Sequence, residues 1–312
     1  MGLFSGKCYS NVRLDGKTAV ITGSNTGIGK ETVQDFFKRG CKVIMACRNL
    51  EKAQKAATDI KTNCGESENF GEILVTELDL GSLKSVRKCA KHILETEQRI
   101  DLLVNNAGVM MCPESRTEEG YEMQFGTNHL GHFLLTMLLL PKIIKSAPAR
   151  IVNVSSLAHE MGSVDFKDIN WEKKRYSSLG AYQQSKLANV VFTVELARRL
   201  EAANIQNVKT YSLHPGVIAT ELGRHLGATY FSFVLWAWRN IATYFIKTPE
   251  QGAQTTIYCA VDEACANESG LYYSDCATKN AAKQALKEET GKQLWQVSLK
   301  MVDLPEDFDP FK

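Results

Sequence analysis

The sequence predicts an α/β domain in which one doubly wound parallel sheet of about seven strands is covered by helices on both faces. Two observations predict it: short apolar, β-branched runs alternate with longer runs of helical periodicity, and the first short run leads into a glycine-rich turn. A third observation, the lack of any proline-rich or glycine-rich linker, favours a single domain. A hydrophobic content of 44% over 312 residues is enough to bury a large core.

Seven runs have the length and composition of buried strands, being short and rich in β-branched residues. In chain order they are Thr18–Thr22, Cys41–Cys47, Ile73–Leu78, Leu102–Val104, Ile151–Val154, Val208–Leu213 and Leu271–Tyr273. Periodic apolar residues predict helices between them, at Glu31–Lys38, Leu83–Glu95, Tyr121–Ile144 and Ala181–Leu200. Because the strand-then-helix order repeats, the strands are expected to run parallel.

The charge balance and the cysteines exclude several classes of protein. Lys and Arg number 37 and Asp and Glu 35, a net charge of +2, so the basic face of a nucleic-acid-binding protein is not expected. The nine cysteines include no C-x-x-C pair, which argues against a zinc site and indicates a reducing, intracellular compartment. His129 and His132 have no third ligand at a suitable spacing, so no metal is expected. No apolar run is long enough for a membrane-spanning helix.

The turn after the first predicted strand, T-G-S-N-T-G-I-G, is typical of a dinucleotide-binding fold of the Rossmann type. Its glycines allow the backbone to turn tightly and approach a pyrophosphate, and the helix that follows offers free N–H groups. The alternative is a glycine loop with only a structural role. The residues of this turn expected to contact the cofactor are Gly23, Ser24, Asn25, Thr26, Gly27, Ile28 and Gly29.

The tip of the second strand indicates NADP(H) rather than NAD. NAD enzymes place a carboxylate there to accept from the ribose hydroxyls. This strand ends instead in Ala46-Cys47-Arg48, and a guanidinium is a natural bidentate partner for a 2′-phosphate. The alternative is an ordinary surface arginine. The ends of the next two strands are expected to add the cofactor contacts Asp79, Leu80, Asn105, Ala107 and Gly108.

Tyr182 and Lys186 are the predicted catalytic pair. They lie four residues apart and therefore project from one face of a helix. A phenol has an ordinary pKa near 10, and an adjacent ammonium favours its ionised form. Ser155 and Ser156 end the strand before this helix, where a hydroxyl can hydrogen-bond the substrate oxygen. Asn128 supplies a polar amide among apolar neighbours in an earlier helix.

With the motifs T-G-S-N-T-G-I-G, N-N-A-G, V-S-S, Y-Q-Q-S-K and H-P-G-V, the chain resembles the short-chain dehydrogenase/reductase family across nearly its whole length. The longer stretches A-C-R-N, N-N-A-G-V-M-M-C-P and T-N-H-L-G-H-F-L-L-T are similar to the retinol dehydrogenase 11 to 14 group. The resemblance implies a tetrad of Asn128, Ser156, Tyr182 and Lys186, with Ser155 as the alternative serine. It also implies NADP(H) as cofactor, and retinoids or other apolar aldehydes as substrates.

The resemblance divides the single domain into three parts. Residues 16–225 would form the dinucleotide-binding and catalytic core, residues 226–248 a substrate flap, and residues 249–312 a C-terminal helix–strand–helix segment. Shallow membrane contact and a dimer or core helix are alternatives for the aromatic flap segment. The turn after the sixth strand is expected to contact the nicotinamide through Pro215, Gly216, Val217 and Thr220. The expected substrate contacts are Ser156, Met110, Trp236 and Trp238.

The leading hypothesis is an NADP(H)-dependent oxidoreductase that interconverts a lipophilic alcohol and its carbonyl compound, retinol and retinal first. A carbonyl or steroid reductase and a non-catalytic NADP-binding scaffold are the alternatives. The expected partner is a small lipophilic substrate and not a nucleic acid, with a homodimer left open. Members of the similar group carry an N-terminal hydrophobic anchor, whereas about ten residues precede Asn11 here. The expected location is the cytosolic face, with peripheral contact to the endoplasmic reticulum membrane left open.

Overall fold

The apolar, β-branched runs of the sequence form the strands of a sheet. A computed structural model describes residues 6–218 and 247–311 of the chain, and those residues contain eight strands. In chain order they are β1 (Thr18–Thr22), β2 (Lys42–Cys47), β3 (Glu72–Glu77), β4 (Leu102–Asn105), β5 (Ala149–Val154), β6 (Val208–His214), β7 (Leu271–Ser274) and β8 (Ala277–Lys279).

The strand order across the sheet positions the site. It runs β3-β2-β1-β4-β5-β6-β7-β8, and every neighbouring pair except β7 and β8 is parallel. The order reverses between β1 and β4, and in an open α/β sheet a ligand crevice forms at the carboxyl ends of the strands at such a point. The predicted fold class, a doubly wound parallel sheet of the Rossmann type, is confirmed.

The last strand, β8, is the part of the sheet that the sequence did not predict. Asp275 and Cys276 join it to β7 in a two-residue turn with φ of 54° and 56°. Two successive residues of positive φ suit a hairpin turn that usually carries Asn-Gly or Asp-Gly. Because Asp-Cys does not carry that signal, the antiparallel edge strand was missed, and seven parallel strands become a sheet of eight.

Helices cover both faces of the sheet in two layers. One layer consists of α1, α2 and α7, and the other of α3, α5, α6 and α8. Their bounds, with a short α4 before α5, are α1 (Gly27–Lys38), α2 (Leu50–Cys64), α3 (Leu83–Thr96), α4 (Met123–Phe125), α5 (Gly131–Lys145), α6 (Ser178–Ala202), α7 (Pro249–Val261) and α8 (Glu288–Met301).

Side-chain caps set where the functional helices begin. The Asn49 side chain accepts from the Lys52 N–H at 2.8 Å and starts α2, and Ser177 accepts from the Gly180 N–H at 3.1 Å and starts α6. Such caps satisfy backbone donors that have no partner within the helix. Because α6 begins at Ser178, its first two turns carry Tyr182, and the next turn carries Lys186.

The predicted helix Tyr121–Ile144 is interrupted by a π-helical turn. α4 passes into a turn at Gly126–Leu130, in which the Gly131 N–H donates to the Gly126 carbonyl, before α5 continues to Lys145. The extra residue per turn rotates the side chains that follow, and such turns are often found at functional sites. Asn128 lies in this turn, so the local geometry around it could not be predicted from helical periodicity.

The C-terminal helix α8 completes the core on its face of the sheet through an aromatic cluster. Phe133 of α5, Phe192 of α6 and Trp295 of α8 are all nearly or fully buried, and the ring centroids of Phe133 lie 5.3 Å from those of both other residues. Edge-to-face contacts of this kind add to the burial of apolar surface. Of the predicted flap, 226–248, only 247 and 248 lie within the described residues.

We expect Trp295→Ala to lower the free energy of unfolding by about 3–5 kcal/mol, because it leaves a cavity against Phe133 and Phe192. Chemical denaturation followed by circular dichroism measures the change. Tyr9→Ala is the control, since Tyr9 is 79% exposed, and it should change stability by less than about 0.5 kcal/mol. Equal stability of the two variants would show that α8 is not part of the folding unit.

Candidate active site

A cleft of about 420 Å³ opens at the carboxyl ends of β1 to β4, where the strand order reverses. Eleven of the predicted cofactor contacts line it: Gly23, Asn25, Thr26, Gly27, Ile28, Gly29, Arg48, Asp79, Leu80, Ala107 and Gly108. Met110, predicted to contact the substrate, lines it as well. Sequence reasoning missed seven further lining residues: Ala46, Asn49, Lys52, Leu78, Asn106, Val109 and Thr127.

The glycine turn passes so close to the loop after β4 that side chains would not fit between them. A Cβ on Gly23, whose φ is +61°, would lie 2.6 Å from the Ala107 Cβ. A Cβ on Gly29 would lie 2.6 Å from Asn106 Nδ2 and 2.8 Å from the Gly23 carbonyl oxygen. No side chain caps the N-terminus of α1. The turn therefore fits a pyrophosphate, for which it offers uncapped N–H groups at close range.

Two predicted cofactor contacts turn their side chains into the core instead. The Ser24 hydroxyl donates to the Ile21 carbonyl at 3.0 Å. The Asn105 amide donates to Thr136 Oγ1 at 3.0 Å and to Asn153 Oδ1 at 2.8 Å. The neighbouring Asn106 is the asparagine of the N-N-A-G motif that lines the cleft. The repeated asparagine in that motif was the only sequence signal for it.

Two cations mark the end of the cleft beside β2. Arg48 and Lys52 are both exposed and line the cleft, and the Asn49 side chain that caps α2 lies between them in sequence. Lys30, in contrast, forms an ion pair with Asp59 at 3.1 Å. Arg48 and Lys52 are therefore the cations placed to meet a phosphate here. Lys52 could have been found from the sequence as the basic residue four positions after Arg48, in the first turn of the helix that follows.

Tyr182, Ser156 and Lys186 meet beside this cleft. Burial raises the pKa of the Tyr182 phenol to about 12, against the opposing effect of a hydrogen bond with the Ser156 side chain. The Lys186 ammonium lies 5.8 Å from the centre of the Tyr182 ring and donates to the Val154 carbonyl at 3.1 Å. Burial lowers the pKa of Lys186 to about 8. The phenol is therefore protonated at neutral pH, and the ammonium is mostly charged.

The adjacent Ser155 has a different environment from Ser156. Its hydroxyl is buried and donates to the Lys186 carbonyl at 2.7 Å, which ties the end of β5 to α6. Ser156 lies at the start of a 3₁₀ turn and accepts from the Ala158 N–H at 3.2 Å. Of the two hydroxyls, only that of Ser156 is placed next to the Tyr182 phenol.

Asn128 is fully buried and holds the loop after β4. Its Oδ1 accepts from the Val109 N–H at 2.8 Å, and its Nδ2 donates to the Val109 carbonyl and to Ser185 Oγ, both at 2.9 Å. A Cβ on Gly108 would lie 3.1 Å from Asn128 Oδ1 and 3.4 Å from Lys186 Nζ. The glycine thus lets the loop pass between the amide and the ammonium.

The turn after β6 carries the predicted contacts Pro215, Gly216 and Val217, none of which is among the residues that line the cleft. Gly216 has a φ of +100° and faces Lys247, which forms an ion pair with Asp275. Val217 is exposed and Pro215 is buried. The other predicted contacts, Thr220, Trp236 and Trp238, lie outside the described residues.

The remaining structural features concern metals, thiols and membranes. Within residues 6–218 and 247–311, no three His, Cys, Asp or Glu side chains are grouped so that they could hold a metal ion. All nine cysteines are described, and none of them forms a disulfide. No helix in the described part of the chain is long and apolar enough to cross a membrane.

Comparison with known proteins shows similarity over nearly the whole chain. Residues 17–230 match the family model described as short chain dehydrogenase. Human retinol dehydrogenase 11 is 49% identical over 305 residues, which cover 98% of this chain and 92% of that protein. Human retinol dehydrogenase 13 is 48% identical over 299 residues, or 96% of this chain and 88% of that one.

Solved structures show the same similarity. A putative uncharacterized protein from Mycobacterium paratuberculosis has a TM-score of 0.73 and 34% identity, covering 94% of this chain and 96% of that one. The Pseudomonas aeruginosa RhlG/NADP active-site complex has a TM-score of 0.64 and 25% identity, covering 83% and 94%.

Gly29→Ala should weaken NADPH binding at least about tenfold, since the added methyl group would meet Ser24 Cα and the Gly23 carbonyl oxygen of the same turn and the Asn106 side chain. Fluorescence titration with NADPH measures the affinity. Gly16→Ala is the matched control: its φ of +70° makes alanine unfavourable, but a Cβ there meets nothing within 4 Å. It should lower thermal stability and leave NADPH affinity unchanged. Unaltered binding in Gly29→Ala would contradict the assignment of the turn.

Proposed function

The chain belongs to the short-chain dehydrogenase family, and from that premise we propose that it is an NADP(H)-dependent oxidoreductase that interconverts a lipophilic alcohol and its aldehyde or ketone. One observation carries the proposal: Tyr182, Ser156 and Lys186 meet beside a cleft whose glycine turn leaves room for a pyrophosphate. Asn128 completes the proposed tetrad by holding the loop between the cleft and Lys186.

When bound, the nicotinamide cofactor supplies or takes up the hydride. In carbonyl reduction the Tyr182 phenol donates its proton to the substrate oxygen, and the Ser156 hydroxyl stabilises the charge on that oxygen. A pKa of about 12 keeps the phenol in the protonated state that reduction needs at neutral pH. In alcohol oxidation the ionised phenol accepts the proton, and the Lys186 ammonium favours that ionised form.

The charges at the end of the cleft support NADP(H). Arg48 and Lys52 together provide two cations for the 2′-phosphate, and the lining of the cleft next to them includes no Asp or Glu from β2 or α2. Asn49 adds a polar side chain between them. The structurally similar RhlG protein was solved in complex with NADP, which supports the proposal of NADP(H) as the cofactor of this chain.

The proposed substrate class follows from the relatives. The similar human proteins are named as retinol dehydrogenases, so retinol and retinal are proposed first. Met110 lines the cleft and is proposed to contact the apolar substrate together with Trp236 and Trp238 of a flap at 226–248. A panel of retinal, a steroid ketone and a short aldehyde with NADPH tests the class. Turnover of the steroid alone would favour a steroid reductase, and no turnover of any would contradict the proposal.

We expect Tyr182→Phe to reduce kcat at least about 10²-fold, the usual contribution of a general acid or base. In alcohol oxidation, the wild-type rate should rise with pH as the phenol ionises, and this rise should disappear in the variant. Tyr211→Phe is the control, since the Tyr211 hydroxyl is buried and donates to the Cys265 carbonyl at 3.0 Å. It should lower thermal stability without changing kcat. A Tyr182→Phe enzyme with more than a tenth of the wild-type kcat would refute the role of Tyr182.

Arg48→Asp should weaken NADPH binding well over tenfold and spare NADH, because one charge-assisted hydrogen bond contributes about 1.5–3 kcal/mol. Lys52→Ala should weaken NADPH binding less, and again without effect on NADH. Isothermal titration with both cofactors measures the preference. Lys55→Ala, an exposed lysine on the same helix that does not line the cleft, is the matched control. A wild-type preference for NADH would show that the assignment of this end of the cleft is wrong.

A further inference from the structure

His132 is buried behind the candidate active site and hydrogen-bonds two residues there, Asn128 and Thr22. Its Nδ1 lies 2.9 Å from the carbonyl oxygen of Asn128, and its Nε2 lies 2.8 Å from Thr22 Oγ1. The side chain is 2% exposed. Asn128 belongs to the π-helical turn, and Thr22 ends β1 just before the glycine turn. His132 therefore connects two segments that are far apart in the sequence.

The proton positions in this network follow from the partners. A carbonyl oxygen can only accept, so His132 must carry its proton on Nδ1 and donate it to the Asn128 carbonyl. Burial lowers the pKa of His132 to about 4, so the ring is neutral and has a single proton. Nε2 must then accept, and the Thr22 hydroxyl donates to it. A second proton on the ring would remove this acceptor.

Thr22 extends the network to the loop after β4. Its hydroxyl oxygen accepts from the Asn106 N–H at 2.9 Å and from the Ala107 N–H at 3.0 Å. Both residues line the cleft, and Ala107 lies against Gly23 of the glycine turn. With its proton donated to His132 and its lone pairs used by two N–H groups, the hydroxyl has a partner in every direction.

The other end of the network reaches the catalytic lysine. The Asn128 amide holds Val109, and Gly108 lies between Asn128 Oδ1 and Lys186 Nζ. The positive charge of Lys186 is close enough to contribute to the low pKa of His132. The titratable groups around Lys186 are Tyr182 on α6, His132 on α5 and His214 at the end of β6.

We propose that His132 is a positioning residue that joins the π-helical turn carrying Asn128 to the cofactor loops, and so sets where Lys186 and Asn128 lie relative to the cleft. The inference rests on the proposed oxidoreductase function. Its chemical requirement is specific: one neutral side chain must donate to a carbonyl at one end and accept from a hydroxyl at the other. A neutral histidine ring protonated on Nδ1 has this donor and this acceptor.

The neighbouring His129 provides the contrast that makes a control available. It is equally buried and lies in the π-helical turn next to Asn128, but its Nε2 bonds Ser298 Oγ of α8 at 2.8 Å, on the side away from the cleft. Ser298→Ala removes that bond without altering the turn itself. It should lower thermal stability and leave NADPH affinity, kcat and the pH profile unchanged.

The test compares His132→Phe, which keeps an aromatic ring but removes both hydrogen bonds, with His132→Asn, which keeps a donor in place of Nδ1–H. For His132→Phe we expect kcat and NADPH affinity each to fall about tenfold, the equivalent of about 1.4 kcal/mol apiece. The pH midpoint of alcohol oxidation should rise, because a displaced ammonium stabilises the ionised phenol less. His132→Asn should recover part of kcat and bring the midpoint back toward the wild-type value.

A measurement on the unaltered protein keeps the proposal testable even where a variant does not fold. Nitrogen-15 NMR of the histidine rings should show His132 protonated on Nδ1 only, without change from pH 6 to 9. A proton on Nε2, or an unchanged pH midpoint in folded His132→Phe, would overturn the proposal. If the wild-type protein reduces no carbonyl compound, the proposed function fails. In that case NADPH affinity alone tests the role of His132. Equally tight NADPH binding by His132→Phe and Ser298→Ala would overturn that role.

Discussion

The glycine turn after β1 and the loop after β4 approach each other within van der Waals distance at the point where the strand order reverses, and the rest of the site depends on that approach. Gly23 meets Ala107, and Gly29 meets Asn106, at distances that leave no space for a Cβ. One consequence is a floor of backbone atoms that a phosphate can reach. Another is that the loop after β4 is held in place firmly enough to position what lies behind it.

Behind that floor, several buried polar side chains hydrogen-bond other groups of the protein. Asn105 bonds Asn153 and Thr136, and Asn128 bonds the Val109 backbone and Ser185. A buried polar group without a partner costs free energy, so each of these bonds also restricts where its backbone can lie. The hydrogen bonds of the buried amides at the ends of β4 and β5 and in the π-helical turn therefore fix the positions of the residues beside the cleft.

The same burial sets the ionisation states at the candidate active site. It raises the pKa of Tyr182 to about 12 and lowers that of Lys186 to about 8, so burial favours the neutral form of both groups. Ser156 opposes the effect on Tyr182 through its hydrogen bond. A protonated phenol next to an ammonium group whose pKa is lowered is an arrangement suited to proton exchange with a substrate oxygen.

The sequence by itself determined the fold class, the glycine turn, the positions of the seven parallel strands and the candidate residues Tyr182, Lys186, Asn128 and Arg48. Each of these is tied to a local rule, such as strand-then-helix alternation or a four-residue spacing on a helix. Only the tertiary structure decided that Ser156 and not Ser155 lies beside Tyr182, that Asn106 and not Asn105 lines the cleft, and that His132 bonds both Asn128 and Thr22. Those outcomes depend on side chains from distant segments meeting in a buried space. Neither periodicity nor spacing along the chain carries that information.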